Sequence, residues 1–470
     1  MREHHTVIDR ARRRVAQTLQ NGFVRATGVL VGGTVIANLV TAAAMPVLTR
    51  LYTPEDMGIL AVFASMLAIL YISICLRFDL ALSIAERDDE AVNLLALGGI
   101  SAVLLSALLA LAMLAVPDRA WETLGSRAFA AYAWILPPTV MVAGFYSLLQ
   151  FWFVRRRAFG PIARSRISQS GASVAAQISL GAAGTGPIGL VVGTVLNSGA
   201  GALLLGARFL RHDRALWRHV SRARLRAAFG ANVNYPRYSA LDGVVVAVAV
   251  QLPVILVAAM AGHGEAGQLM LALFVIQAPM SLLGNALGQV FLSEAPTRHR
   301  DGTLAPLLQN ILVALAKTGV GPLIALGFVA PFAFGFVFGW EWERAGVLIA
   351  WMAPWFALQL LTTPVGYVMQ VTGHQRMALG LQVFGLTLRV GTVALVGATA
   401  PVYMSEAFAV SSALFYLVYL SAVVHSGDIQ LRSLIGQFSG AVPLLAAWTA
   451  VGIVSAVLAS ALTEAIFAAG

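Results

Sequence analysis

The sequence predicts an all-α membrane protein that crosses the bilayer many times as two equally oriented lobes of six helices. Long stretches without a charged residue recur along the chain, beginning with the 24 residues between Arg25 and Arg50. An α-helix needs about 20 apolar residues to cross ~30 Å of hydrocarbon. Only 11% of the residues are charged, 59% are hydrophobic and the mean hydropathy is +0.81, whereas soluble domains carry roughly 25% charged residues.

Thirteen apolar segments are long enough to cross a membrane as helices. The first exceeds the roughly 7–15-residue core of a secretory signal, so we expect it to stay in the protein. A glycine-rich turn at 181–187 divides the longest uncharged stretch, which has 41 residues, into two segments. The thirteen segments are roughly 26–48, 57–78, 91–116, 129–154, 166–183, 187–207, 236–261, 266–292, 304–330, 344–370, 376–397, 402–424 and 436–466.

Arginines crowd alternate gaps between the segments and predict the orientation of the chain. The odd-numbered gaps hold only Arg50, Arg119, Arg127 and Arg344, while the N-terminal tail and the even-numbered gaps hold the other loop arginines. Because positively charged short loops stay in the cytoplasm, we expect a cytoplasmic N-terminus. The same loops explain the net charge of +10, so no nucleic-acid partner is predicted.

The longest polar connection divides the chain into two blocks of six segments. Six is even, so both blocks start on the cytoplasmic side, as in transporter halves related by a pseudo-twofold axis along the membrane normal. Two short similar motifs support this repeat, since Glu55-Asp56-Met57-Gly58 and Glu265-Ala266-Gly267 open corresponding helices. We predict a basic N-terminal segment (1–25), a first lobe (26–207), a basic interfacial linker (208–235), a second lobe (236–424), and a cytoplasmic loop with an additional helix (425–470).

The sequence lacks three motifs that are typical of ATPases and hydrolases. It has no Gly-rich phosphate loop, no His-Glu-x-x-His helix and no Gly-x-Ser-x-Gly elbow, and Cys75 is the only cysteine. We therefore predict no catalytic residue, no metal site and no bound cofactor. The predicted outer loops are short, which disfavours a glycan polymerase or ligase and favours a transporter.

Two cations lie deep within predicted membrane segments. Lys317 and Arg389 each lie 13 residues into a segment, about 20 Å deep at 1.5 Å per residue. An ionised side chain in hydrocarbon costs at least ~2.5–3.5 kcal/mol, so such residues usually face a partner or a wet cavity. These two cations predict an anion-binding cavity in the second lobe. The alternative is that each pairs with a carboxylate or reaches an interface along its own stem.

Further charged residues lie at the predicted cytoplasmic ends of segments. Arg77 and Asp79 close the second segment, and Arg237 and Asp242 flank the start of the seventh. Residues spaced i, i+2 do not face each other on a helix, so we expect Arg77 and Asp79 to have different partners. Each pair suits either a substrate contact or a structural cap.

Several stretches together carry a resemblance to a known family. The chain resembles bacterial polysaccharide-export flippases of the Wzx type, in the multidrug/oligosaccharidyl-lipid/polysaccharide (MOP) exporter superfamily, over nearly all of residues 25–425. The stretches are Leu48-Thr49-Arg50-Leu51-Tyr52-Thr53-Pro54-Glu55-Asp56-Met57-Gly58, Arg77-Phe78-Asp79-Leu80-Ala81-Leu82, Gln251-Leu252-Pro253, Gly284-Asn285-Ala286-Leu287-Gly288-Gln289-Val290-Phe291 and Ala353-Pro354-Trp355.

This resemblance implies a fold, a substrate and a location. It implies two six-helix lobes around a V-shaped cavity in the bacterial inner membrane, where an undecaprenyl-diphosphate-linked oligosaccharide is moved between leaflets by alternating access. The product would be O-antigen lipopolysaccharide, capsule or exopolysaccharide, and candidate partners are a polysaccharide polymerase and a chain-length regulator. Because the diphosphate is anionic, the candidate residues that would contact it are Lys317, Arg389, Arg77, Arg50 and Arg237. Asp79 and Asp242 are candidate sites for proton or sodium coupling.

Two other functions remain open at this point. The first is an ion-coupled multidrug antiporter of the same superfamily, which would favour buried carboxylates over the buried cations predicted here. The second is a membrane glycan polymerase or ligase, which the short outer loops disfavour.

Overall fold

The computed structural model describes residues 28–115 and 127–469, and this part of the chain is helical with short connections. The helices in the first half are α1 (Gly28–Leu51), α2 (Pro54–Ser73), α3 (Phe78–Ile84), α4 (Asp88–Ala115), α5 (Arg127–Ala133), α6 (Leu136–Arg155), α7 (Phe159–Ala182), α8 (Pro187–Gly199), α9 (Gly201–His212) and α10 (Arg222–Ala231). Those in the second half are α11 (Ala240–Met260), α12 (His263–Arg300), α13 (Leu304–Leu315), α14 (Gly321–Phe338), α15 (Glu343–Thr362), α16 (Val368–Val371), α17 (Gln375–Thr399), α18 (Met404–Ser426), α19 (Leu431–Phe438) and α20 (Val442–Ala469).

The predicted fold class, an all-α polytopic membrane protein, is confirmed. Among the described residues, ten helical stretches are long and apolar enough to cross a membrane, and they match ten of the thirteen predicted segments. The other three segments are also helical, as α6, α7 and α12 of 20, 24 and 38 residues. The predicted turn at 181–187 is present, with Gly184 and Gly186 at positive φ, the left-handed region that glycine adopts at little cost.

The fifth predicted segment was placed too far along the chain. It was expected to begin at residue 166, after the arginines, but α7 begins at Phe159 and contains both Arg164 and Arg166. An arginine in the first turns of a membrane helix can extend its guanidinium to the interface along its aliphatic stem. Charge therefore marks the end of the apolar run and not the end of the helix.

The two ends of the bundle differ in charge, and we call them the basic end and the opposite end. The basic end carries Arg155, Arg156 and the connection from α9 to α11, whose Leu216 and Val220 pack on the core of the first six segments. The opposite end carries the starts of α2, α8, α12 and α15. At the opposite end, α2 begins with a capping box in which Thr53 and Asp56 bond to each other's backbone.

The first and second halves meet where α2 packs on α11 and α12. At the opposite end, α2 and α12 cross in backbone contact, because a Cβ on Gly58 would overlap the His263 carbonyl and a Cβ on Gly267 would overlap the Pro54 carbonyl. Each glycine faces the residue four positions before the other glycine, so the contact is twofold symmetric. The two similar motifs, which contain Gly58 and Gly267, thus lie where the two halves touch.

The predicted additional helix is α20, which packs along α14. Two glycines allow the close approach. A Cβ on Gly321 would overlap the indole of Trp448, and a Cβ on Gly452 would lie 3.0 Å from the Cα of Ala325. The short α19 and a 3-10 turn at Ser439–Ala441 precede it, so residues 431–469 form a C-terminal helical segment on the second half.

We expect Gly58→Ala to destabilise the protein, because the added methyl group must push the α2–α12 backbones apart. Overpacking of this kind costs about 1–3 kcal/mol. Gly171→Ala in α7 is the matched control, since nothing lies within 4 Å of its added Cβ and alanine favours a helix interior by ~1 kcal/mol over glycine. Thermal unfolding of both variants in detergent tests the crossing, and equal midpoints for the two would contradict it.

Candidate functional site

A polar cavity lies within the second half, between α11, the segment after α15, α17 and α18. Its volume is about 430 Å³. A second cavity of about 280 Å³ shares part of this lining and continues to Asp242 and Gln375, both exposed at the basic end. The larger cavity is lined by Val246, Ala249, Val250, Thr363, Gly366, Tyr367, Gln370, Gln382, Arg389, Phe415, Tyr416 and Tyr419.

A break in the tenth segment and two glycines make room for the aromatic rings of this cavity. α15 ends at Thr362, and a 3-10 turn with Pro364 follows, since proline removes a backbone donor and disfavours a helix in the residue before it. A Cβ on Gly366 would overlap the Tyr419 hydroxyl, and a Cβ on Gly385 would overlap the ring of Phe415. The proline-containing turn and the two glycines therefore allow the rings of α18 to pack against α17 and the turn.

Arg389 is the charged group of the larger cavity and is only 5% exposed. Its guanidinium carbon lies 4.2 Å from the ring centroid of Phe415 and 5.3 Å from that of Tyr416. Its Nε and Nη2 atoms have no hydrogen-bond partner, and no ion pair joins Arg389 to a carboxylate among residues 28–115 and 127–469.

The environment of Arg389 favours an anionic ligand. Contacts with aromatic faces contribute about 0.5–2 kcal/mol each, whereas leaving a buried charge without a counter-charge costs several kcal/mol. A bound phosphate or carboxylate would accept the free N–H groups in charge-assisted hydrogen bonds. The cavity can therefore hold an anion beside aromatic rings and amide side chains.

A second polar site lies where the second predicted segment breaks. Leu76 and Arg77 both adopt left-handed backbone conformations, with φ of 48° and 60°, which cost roughly 1–2 kcal/mol for each non-glycine residue. The break separates α2 from α3 and aims the Arg77 guanidinium at α11, where a Cβ on Gly243 would overlap its Nη2. The Nε of Arg77 is buried without a hydrogen-bond partner. Strained backbone that persists in this way is typical of functional sites.

Asp79 lies just beyond this break and is turned into the first half. It is 8% exposed, and its Oδ2 accepts a hydrogen bond of 2.7 Å from the Ser147 hydroxyl while its Oδ1 accepts one of 3.0 Å from the Leu80 amide. Arg77 contacts α11 and Asp79 contacts α6, so the two have different partners, as their i, i+2 spacing predicted.

The predicted cationic residues are not gathered into one site. Arg389 lines the larger cavity, and Arg77 contacts Gly243, which follows Asp242 of the adjoining cavity. Arg50 is exposed at the opposite end and donates to the Pro46 carbonyl. Arg237 is exposed, with its guanidinium 5.3 Å from the ring centroid of Tyr238.

Lys317 does not line the cavity of Arg389, although the equal depth of the two cations predicted one anion-binding cavity for both. It is exposed and absent from the lining of both cavities. Its Nζ lies 3.8 Å from the position of a Cβ on Gly440, at the end of α19. This ammonium group therefore lies beside the turn between α19 and α20 and outside the cavity of Arg389.

A family comparison identifies the kind of protein to which this geometry belongs. A family model described as "Polysaccharide biosynthesis protein" matches residues 47–346. The chain belongs to this family. A search among curated proteins finds no match.

Solved transporter structures share the fold of this polysaccharide biosynthesis protein. A lipid II flippase MurJ in an inward closed conformation has a TM-score of 0.65 at 12% identity, covering 95% of this chain and 98% of that one. An inward-facing multidrug resistance MATE transporter of the MOP superfamily has a TM-score of 0.56 at 15% identity, covering 85% and 93%. A MOP transporter from Pyrococcus furiosus has 0.50 at 16% identity, covering 88% and 96%. The predicted MOP superfamily fold is confirmed.

The sequence interpretation missed most of the cavity lining in this family member. Phe415, Tyr416 and Tyr419 lie on one helix at spacings that place aromatic rings on a common face, and this signal could have been found. Gln370 and Gln382 come from different segments, so their proximity depends on how the helices pack. No group of three or more potential metal ligands occurs in the described residues.

We expect Ser147→Ala to lower the free energy of unfolding of this protein by about 1–3 kcal/mol, because the buried Asp79 carboxylate then loses a hydrogen-bond donor. Ser83→Ala is the control, since the Ser83 hydroxyl bonds only to the Leu80 carbonyl of its own turn. Thermal unfolding of Ser83→Ala, of the single variants Ser147→Ala and Asp79→Asn and of the double variant Asp79→Asn/Ser147→Ala measures the coupling between the two side chains. Strict additivity of the single and double variants would exclude the Asp79–Ser147 interaction.

Proposed function

We propose that this transporter is a flippase for undecaprenyl-diphosphate-linked oligosaccharides in the bacterial inner membrane. It would carry repeat units for O-antigen, capsule or exopolysaccharide from the cytoplasmic to the outer leaflet by alternating access. The observation that carries the proposal is the buried, unpaired Arg389 in a cavity with aromatic and amide groups. Membership of the polysaccharide biosynthesis family supports the substrate class.

Each part of the proposed substrate has a chemically suitable environment. The diphosphate is an anion, and a guanidinium binds phosphate oxygens through two parallel N–H groups. Sugar hydroxyls both donate and accept hydrogen bonds, as the amides of Gln370 and Gln382 do, and the rings of Tyr367 and Tyr419 offer flat apolar faces with a hydroxyl handle. The prenyl chain is apolar and would remain in the bilayer.

The charge distribution supports a direction for this movement. The arginine-rich basic end would be cytoplasmic, and the smaller cavity reaches that end at Asp242 and Gln375. At the opposite end, the two halves are joined by the Gly58–Gly267 crossing. This arrangement fits a state in which the substrate enters from the cytoplasm, and release on the other side would require the glycine crossing to open.

Asp79 is our candidate for coupling to a proton or sodium gradient. It is the buried carboxylate of the α2–α3 break, bonded to Ser147 and to the Leu80 amide. Its protonation would change the hydrogen bonds that hold the break, and the break orients Arg77 toward the second half. Asp242 is exposed at the mouth of the smaller cavity and is the second candidate.

We expect Arg389→Ala to block export, while Lys317→Ala, a matched loss of one charge in the same half, leaves export close to wild type. Losing a charge-assisted hydrogen bond costs about 1.5–3 kcal/mol, or about 10- to 150-fold in transport. The measurement is surface glycan in a deletion strain that carries each variant, with membrane abundance as the control and lipid-linked repeat units quantified in extracts.

The outcomes of this experiment separate the functions. Accumulated lipid-linked units with Arg389→Ala support the flippase. Wild-type glycan in the deletion strain together with new drug sensitivity would instead identify a multidrug antiporter. Accumulation of exported single units, without polymer, would identify a polymerase or ligase.

We expect Asp79→Asn to retain substrate binding but lose the response of transport to an ion gradient, because the amide cannot be protonated or act as a charged ligand. Transport into inverted vesicles is measured with and without a protonophore and with sodium replaced by potassium. Asp242→Asn is the comparison. Gradient-dependent transport by Asp79→Asn that equals wild type would remove Asp79 from the coupling mechanism.

A further inference from the structure

A third cavity lies outside the proposed substrate site, between the first turns of α7 and the end of α9. Its volume is about 320 Å³. Three arginines line it, Arg164 from α7 and Arg208 and Arg211 from the last turns of α9, with His212 at its rim. All three arginine residues are exposed. The cavity is therefore a basic pocket at the basic end of the first half, and we call it the α7–α9 pocket.

The arginines of the α7–α9 pocket contrast with Arg155 and Arg156, which lie at the same end of the first half and are paired. Arg155 pairs with Asp88 at 2.6 Å, and Arg156 pairs with Asp88 and Asp213 at 3.1 Å each. Within the described ranges, no ion pair involves Arg164, Arg208 or Arg211. Three like charges around one pocket repel each other unless an anion lies between them. Asp88, Asp89 and Asp213 at this end pair with other arginines, which leaves the three arginines of the pocket available to an anion from outside the chain.

The pocket has an apolar side as well as a basic one. Leu204 lies one helical turn before Arg208, about 6 Å deeper along α9, and is 52% exposed. Leu204, Ala207 and Pro161 line the same cavity as the arginines. A ligand that fills it would place an anionic group at the arginines and an apolar part beside Leu204. This division matches a lipid whose phosphate lies at the interface and whose chains enter the bilayer.

We propose that the α7–α9 pocket binds the phosphate of an anionic phospholipid such as phosphatidylglycerol. Basic pockets between membrane helices at the cytoplasmic side are suited to anionic head groups, and arginine binds phosphate oxygens in a bidentate manner. One lipid phosphate would join the start of α7 to the end of α9, so binding should stabilise the first half. The Nδ1 of His212 is within 3.0 Å of the Arg208 carbonyl, so the three guanidinium groups, with the other ring nitrogen of His212, are the candidate phosphate ligands.

The test compares two triple variants that lose the same number of charges. R164Q/R208Q/R211Q removes the cations of the pocket, while R218Q/R222Q/R226Q removes three exposed arginines of the nearby connection. The full-length protein in detergent is titrated with phosphatidylglycerol or phosphatidylcholine, and binding is followed by native mass spectrometry and by the unfolding midpoint. We expect phosphatidylglycerol, and not phosphatidylcholine, to bind and stabilise wild type and the control. The pocket triple should bind it about 100-fold more weakly.

Other results would overturn the proposal. Equal losses in both triple variants would indicate diffuse attraction to the basic end, and unchanged binding in the pocket triple would place the lipid elsewhere. Stabilisation by inorganic phosphate at the same concentration would indicate a site for a free anion. Preferential displacement of phosphatidylglycerol by a polyprenyl diphosphate would assign the pocket to the transported substrate. If the pocket triple does not fold, Arg208→Gln is compared with Arg208→Lys, which keeps the charge and should bind more tightly than the glutamine variant.

Discussion

The high free energy of a charge in hydrocarbon governs the arrangement of this protein. Most arginines therefore lie at the basic end, where several are paired, as Arg155 and Arg156 are with Asp88 and Asp213. A cation can lie deeper only where packing and aromatic faces replace water around it. Arg389 meets this condition through Phe415 and Tyr416, and its remaining N–H groups create the demand for an anionic ligand on which the proposed substrate site rests.

Close backbone contact at glycines is the second feature that organises the fold. In a membrane, helices gain little from excluding lipid, so association depends on close packing of small residues. Gly58 and Gly267 join the two halves, while Gly321 and Gly452 allow α20 to pack closely on α14. The first contact must be reversible if transport uses alternating access, whereas the second can stay closed. The same close packing would then serve one contact that opens and one that stays closed.

The α2–α3 break connects these two features. Its two left-handed residues, Leu76 and Arg77, are retained despite their conformational cost, and Arg77 contacts the second half while Asp79 bonds within the first. A change in the hydrogen bonds of Asp79 would therefore alter the contact of Arg77 with the second half. Asp242, beside that contact, lines the smaller cavity, and the smaller cavity shares lining residues with the larger cavity that contains Arg389. Coupling and substrate binding would consequently lie within one connected region.

The sequence by itself determined which apolar segments are helical and which end of the bundle is basic. Apolar length and charge are properties of consecutive residues and do not depend on how the helices pack. The start of α7 was misplaced, and the breaks within the second and tenth segments were not predicted. The tertiary structure decided which side chains share a cavity. Lys317 and Arg389 have the same depth in their segments, yet Lys317 lies by Gly440 while Arg389 faces Phe415 and Tyr416. Depth follows from position along one helix, whereas a shared site depends on the rotation of each helix and on its neighbours, which only packing specifies.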